Sequence, residues 1–157
     1  MHHDAEALTG LILEALRELG GRAIIQRGWA GLARHALPEG VLAVDFVPHS
    51  WLFPRAACVV HHGGAGTTAA AFRAGVPAVI VPHTLEQPLW AEFSRALGCT
   101  VSVIPFQQLS AASLVDGLRR MLASELHVFE NSTLPSHASR WVEVAARGRV
   151  TVDFDAR

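Results

Sequence analysis

The sequence predicts an α/β domain, a mostly parallel sheet covered by helices on both faces. Three observations point to it. Short apolar runs alternate with segments of helical period from about residue 5 to residue 122. Those runs are short and almost continuously apolar, as strands buried on both faces require. One of them enters a glycine-rich turn that opens a helix, the connection that parallel sheets are built from.

The elements follow in order. Residues 5–19, AEALTGLILEALREL, carry Leu8, Leu11, Ile12, Ala15, Leu16 and Leu19 at helical spacing, and Gly20-Gly21 ends the helix. RAIIQ (22–26) and VLAVDFV (41–47) read as strands, and PHSWLFPRA is a proline-bounded connection. ACVVH (57–61) is the next strand, GAGTTAAAFRAG (64–75) a helix, and AVIVP (78–82) a strand stopped by proline. EQPLWAEFSRALG (86–98) is a helix with Leu89, Trp90, Phe93 and Leu97 on one face. CTVSVI (99–104) is a strand, and SAASLVDGLRRML (110–122) the last clear helix. The chain divides into a Rossmann-like unit over 1–122 and an atypical tail over 123–157. In that tail WVEVAARG has helical character and RVTVDFD alternates like a strand.

Composition narrows the function classes. The 157 residues are 50% hydrophobic and 17% charged, which suits one well-buried domain rather than a disordered chain. The formal net charge is -1 and Lys and Arg form no block, so neither a nucleic-acid groove nor an anionic membrane surface is indicated. Cys58 and Cys99 each lie in an apolar run and read as small buried hydrophobes. No apolar run reaches the roughly 18 residues of a membrane span. MHHDAEALTG lacks the basic-then-apolar order of a signal peptide, so a cytoplasmic setting is expected. His35, His49, His61 and His83 fall in different segments, and neighbouring His61 and His62 point opposite ways in a strand, so no metal site is expected.

The central stretch, VVHHGGAGTTAAAFRAGVP (59–77), carries the chemistry. The first N–H groups of a helix lack intrahelical acceptors and carry partial positive charge, which suits a phosphate. Gly63, Gly64 and Gly66 let backbone approach an anion, Thr67 and Thr68 add hydroxyls, and His62 adds a ring donor. Glycines that merely serve packing explain the turn equally well when read alone. The run is not a phosphate loop of the Gly-Lys-Ser/Thr type, because no Lys follows Gly66. Upstream, Trp51 is either an ordinary tryptophan or an indole on which a base stacks. Downstream, Glu86 and Gln87 open a helix, either as a dipole-matching N-terminus or as a carboxylate–amide pair for vicinal sugar hydroxyls.

Together, residues 46–90, FVPHSWLFPRAACVVHHGGAGTTAAAFRAGVPAVIVPHTLEQPLW, resemble the donor-sugar motif of family 1 glycosyltransferases of the GT-B fold. The likeness is strongest to sterol and macrolide-type UDP-glycosyltransferases, and a weaker one spans about residues 5–122. It implies the C-terminal, donor-binding half of the GT-B fold. By the resemblance, Trp51 stacks on uracil and His62 contacts the pyrophosphate. Gly64, Gly66, Thr67 and Thr68 hold the phosphates, and Glu86 and Gln87 bind hexose hydroxyls. The acid of that pair is usually Asp, and His83, Thr84 and Leu85 stand where aromatic and glycine residues are common. These departures bear on the sugar. UDP-glucose is the first expectation, and a dTDP-deoxysugar the second. No cofactor beyond the donor substrate is implied.

Members of the family pair this half with an acceptor domain that supplies the catalytic base. No catalytic residue is therefore expected in this chain, and the chain alone is expected to be inactive. An acceptor domain, an acceptor subunit or a second copy is the expected partner. Two other readings remain: a truncated, inactive remnant, and a non-catalytic interaction module. The family's domain also begins with a strand that precedes the first helix. In a Rossmann sheet that strand lies in the middle, here between RAIIQ and ACVVH. Its absence before Ala5 would strand backbone groups on both neighbours, so either the sheet closes up or another segment fills the gap, and RVTVDFD, from this chain or a second copy, is one candidate filler.

Overall fold

The computed structural model describes residues 5–27, 32–33, 36–84, 86–123 and 149–153. In chain order these form α1 (Ala5–Leu19), β1 (Arg22–Gln26), β2 (Val41–Val44), the single-turn α2 (His49–Leu52), β3 (Cys58–His61) and α3 (Ala65–Ala74). Then come β4 (Ala78–Ile80), α4 (Gln87–Ala96), β5 (Ser102–Val103), α5 (Ala111–Ala123) and β6 (Arg149–Asp153). All the strands join one sheet in the order β2-β1-β6-β3-β4-β5, parallel at every pairing.

The middle of that sheet is where the sequence left a gap. β6 fills it. Ala23, Ile24 and Ile25 of β1 stand level with Val150, Thr151 and Val152, and on the other side Cys58, Val59 and Val60 of β3 stand level with the same three residues. β6, the first five residues of RVTVDFD, thus takes the central position that a strand ahead of α1 would hold in a Rossmann sheet. The physical need is plain. Without β6, facing edges of β1 and β3 would leave buried N–H and C=O groups unpaired, at about 1–3 kcal/mol each. The helix expected at WVEVAARG lies outside the described residues.

Two apolar layers cover the sheet. Strand residues alternate between them, as the period of two demands. Ile25, Cys58, Val60 and Val79 pack with Leu8, Ile12 and Leu16 of α1 and Leu114, Val115 and Leu118 of α5. Ile24 and Val59 face the other way, with Leu52, Phe53, Ala71 and Val76 around α2 and α3. Ala78 and Ile80 of β4 extend that second layer toward Ala91 of α4. Cys58 is fully buried and burial pushes its thiol up to about 12, while Cys99, also buried, is raised by the same cause. Both are free thiols that stay protonated and behave as small apolar groups.

Two strands are shorter than their sequence pattern. β2 stops at Val44, because Asp45 turns out to pair with Arg27 at 3.1 Å and Phe46 leaves the sheet for solvent. β5 keeps only Ser102–Val103 of CTVSVI. Upstream of it, Thr100 Oγ1 donates to Ala78 O and accepts from Ser102 N–H at 3.0 Å, so a side chain replaces the ladder there. No helix among the described residues is long and apolar enough to cross a membrane.

Candidate functional site

A cleft runs along the carboxyl ends of the strands, where open α/β sheets place their ligands. β3 delivers its centre. His61, fully buried, accepts a hydrogen bond from Gly63 N–H on Nδ1 at 3.0 Å, so its ring pins the turn from within. Its neighbour His62 lies just past the end of β3 and lines the cleft. The chain turns at Gly63 with φ +89, where a Cβ would lie 2.9 Å from Ile80 Cγ2 and 3.2 Å from Gln87 O. A Cβ on Gly64 would strike the imidazole of His62. These two glycines are therefore fixed by the fold: one by backbone conformation and crowding, the other by a ring that needs its space.

Gly66 differs. A Cβ there would meet no atom within 4 Å, and the residue lines the cleft. α3 begins beside it. Gly64 is the N-cap and gives no side-chain cap, and the first helical bond runs from Thr68 N–H to Gly64 O at 2.9 Å. The preceding N–H groups, of Ala65, Gly66 and Thr67, have no acceptor inside the helix. Thr67 adds its hydroxyl to the same wall. The arrangement offers hydrogen-bond donors and the positive end of a helix to an anion, with free room in front.

β4 and α4 supply the far wall. Glu86 is exposed and lines the cleft. Gln87 lines it too, but its Oε1 is already engaged, accepting from His83 N–H at 2.8 Å and Thr84 N–H at 3.2 Å. Gln87 thus ties down the loop after β4 and has only amide N–H donors left for a ligand.

Of the residues expected from sequence, the cleft brings together His62, Gly64, Gly66, Thr67, Glu86 and Gln87. Trp51 and Thr68 are not in its lining. The single turn of α2 rotates Trp51 away, leaving it 53% exposed with the Arg55 guanidinium 4.4 Å above its ring centroid. Thr68 is buried against the sheet side of α3. Phe46 does line the cleft, 76% exposed where the chain leaves β2. His49 stands next to it and stacks on Phe53 at 4.3 Å between ring centroids. Gln26 and Arg73 also line the cleft. The sequence pattern did not single out Phe46 for this wall. The useful signal was position: Phe46 follows a strand's carboxyl end directly, whereas Trp51 lies beyond a turn.

Comparison with known proteins identifies the family of the chain. A family model described as "Erythromycin biosynthesis protein CIII-like, C-terminal domain" matches residues 11–140, past residue 122 where the motif resemblance fades. A sterol 3-beta-glucosyltransferase of Arabidopsis thaliana is 46% identical over 120 residues, covering 76% of this chain and 19% of the relative. An O-mycaminosyltylonolide 6-deoxyallosyltransferase of Streptomyces fradiae is 38% identical over 117 residues, covering 74% of this chain and 27% of the relative. Among solved structures, glycosyltransferase VinC in complex with DTDP superposes with a TM-score of 0.64 at 26% identity, over 91% of this chain and 34% of that one. The calicheamicin glycosyltransferase CalG4 gives 0.64 at 27% identity, over 87% of this chain and 34% of that one. The chain therefore spans 19% to 34% of the length of these four proteins.

Proposed function

The chain belongs to the EryCIII-like C-terminal domain family of GT-B glycosyltransferases, and from that premise we propose that its cleft binds a nucleoside diphosphate hexose. The observation that carries the reading is the open N-terminus of α3, with clear space in front of Gly66, set between an exposed aromatic ring and an acid–amide pair. A nucleotide sugar has these three parts in this order. Its diphosphate meets the free N–H groups of α3, Thr67 and His62. Its base lies toward Phe46, and its hexose hydroxyls toward Glu86 and the amide N–H groups of Gln87. In the transfer reaction a hydroxyl oxygen attacks the anomeric carbon and the bond to the diphosphate oxygen breaks. The charge that develops on the leaving diphosphate is met by fixed donors, which need no reorganisation as it forms.

The acceptor hydroxyl and the base that deprotonates it belong, in this reading, to an acceptor-binding domain or subunit. The acceptor is of lipid-like or natural-product type, in keeping with the sterol and macrolide substrates in the relatives' names. Purified alone, the chain is expected to bind donor and to transfer nothing.

Calorimetric titration with UDP tests the site, with Phe46→Ala and Trp51→Ala beside the parent chain. Base stacking on an aromatic ring contributes roughly 1–3 kcal/mol, so Phe46→Ala is expected to weaken binding by that much and Trp51→Ala to leave it within about twofold. The reverse pattern would return the base to Trp51. A folded chain that binds neither UDP nor dTDP would overturn the donor-site reading and leave the inactive remnant.

A further inference from the structure

Gln26 is the last residue of β1 and the least expected polar group in the cleft wall. It is only 4% exposed, and its Oε1 is buried without a hydrogen-bond partner among the described residues. Such an acceptor normally finds a donor, because leaving it unmet costs stability. Its backbone is held on both sides, level with Val44 of β2 and Asp153 of β6. Alternation along β1 puts it on the same sheet face as Ile24, which packs toward α2 and α3. The terminal torsion of a glutamine is soft, so the amide can turn its oxygen to a donor that arrives in the cleft.

The sheet order says which part of a ligand that donor belongs to. Asp153 stands level with both Gln26 and His61, so Gln26 lies two strands from the phosphate-facing turn, on the side away from β4. Two strand spacings are roughly 10 Å. The hexose side, with Glu86 and Gln87, is in the opposite direction. An ionised diphosphate has no proton to donate. What remains at Gln26's end, next to Phe46, is the nucleoside. Uracil and thymine carry an imide N3–H with a carbonyl on each side, and a primary amide matches that edge with its oxygen accepting and its nitrogen donating. Cytosine has an acceptor nitrogen at the same ring position.

We propose that Gln26 reads the nucleobase imide, its Oε1 accepting the N3–H of a uracil or thymine, and so selects uridine or thymidine diphosphate sugars over cytidine ones. This rests on the nucleotide-sugar reading of the cleft. The test is calorimetric titration of the whole chain and of Gln26→Met with UDP and CDP, each protein's fold first checked by its thermal transition. The parent is expected to prefer UDP over CDP by tenfold or more. Gln26→Met should weaken UDP about five- to thirtyfold, leave CDP within twofold, and so flatten the preference. Gln26→Leu serves as a second variant if the Met side chain does not pack. A parent that binds both nucleotides equally would overturn the inference while leaving the donor site standing. Equal loss of UDP and CDP in the variant would also overturn it, pointing to a ribose hydroxyl. A folded parent that binds neither would remove the donor reading itself.

Discussion

The interior of the sheet and its carboxyl-end rim are built on opposite terms. In the interior, β6 lies between β1 and β3 with parallel partners on both sides, and the adjoining side chains are buried in two apolar layers. On the rim, a few ångströms along the same strands, a helix starts without a side-chain cap, Gly66 faces open space and the Gln26 amide oxygen has no partner among the described residues. In the interior the central strand's backbone is paired on both sides, and that is what stability requires. The rim leaves donors and an acceptor unmet in one place, and that is what a ligand requires. Stability and binding should therefore respond to different substitutions in this small domain.

The largest effect is expected at the centre. Val152 stands level with Ile25 on one side and Val60 on the other. Val152→Pro removes a backbone donor and places a ring inside a central strand, at about 3 kcal/mol or more. For a domain whose whole stability is on the order of 5–15 kcal/mol, that should lower the urea midpoint clearly or abolish the transition. A Val152→Pro chain as stable as the parent would mean that the sheet does not depend on β6, and the contrast between interior and rim would lose its first half.

The order of the elements was legible because each strand–helix alternation is a local pattern. The bounds of α1 and β1 coincide with their apolar periodicity. The place of β6 was legible only indirectly. Nothing local to RVTVDFD says where it pairs, but a gap between two buried strands must either close up or be filled, and the tail held one candidate filler. At the site, residues contiguous with the glycine turn were readable: His62, Gly64, Gly66 and Thr67 are carried by β3 and the start of α3 alone. Phe46, Gln26 and Arg73 were not, because what brings them to the cleft is the position of β1, β2 and α3 in three dimensions. The tie between Gln87 and the loop at His83 and Thr84 was likewise invisible, since a glutamine at a helix start has no sequence mark that its oxygen is already engaged.

Within the glycine turn the same contrast recurs on a smaller scale. Gly63 belongs to the interior in character: φ +89 and a 2.9 Å approach to Ile80 Cγ2 leave no place for a methyl group. Gly63→Ala should cost about 2–3 kcal/mol, through strained backbone and a forced shift of β4 or α4. Chemical denaturation reads it directly. A neutral outcome would show that the turn can relax, and that Gly63 serves the ligand rather than the fold.

Gly66 is the rim's counterpart, and its substitution should separate the two terms most cleanly. Nothing lies within 4 Å of a Cβ built there, and the residue sits in the first turn of α3, so alanine introduces no clash with the protein. Alanine also favours helix over glycine by up to about 1 kcal/mol, so Gly66→Ala should leave stability unchanged or slightly raised. The added methyl group, however, occupies the space in front of the free N–H groups, where a phosphate oxygen must come within hydrogen-bond distance. UDP binding is expected to fall by tenfold or more while the unfolding midpoint holds or rises. Loss of both would place Gly66 with Gly63 as a structural glycine. Retention of both would move the diphosphate away from α3, and with it the reason for an uncapped helix opening on a clear space.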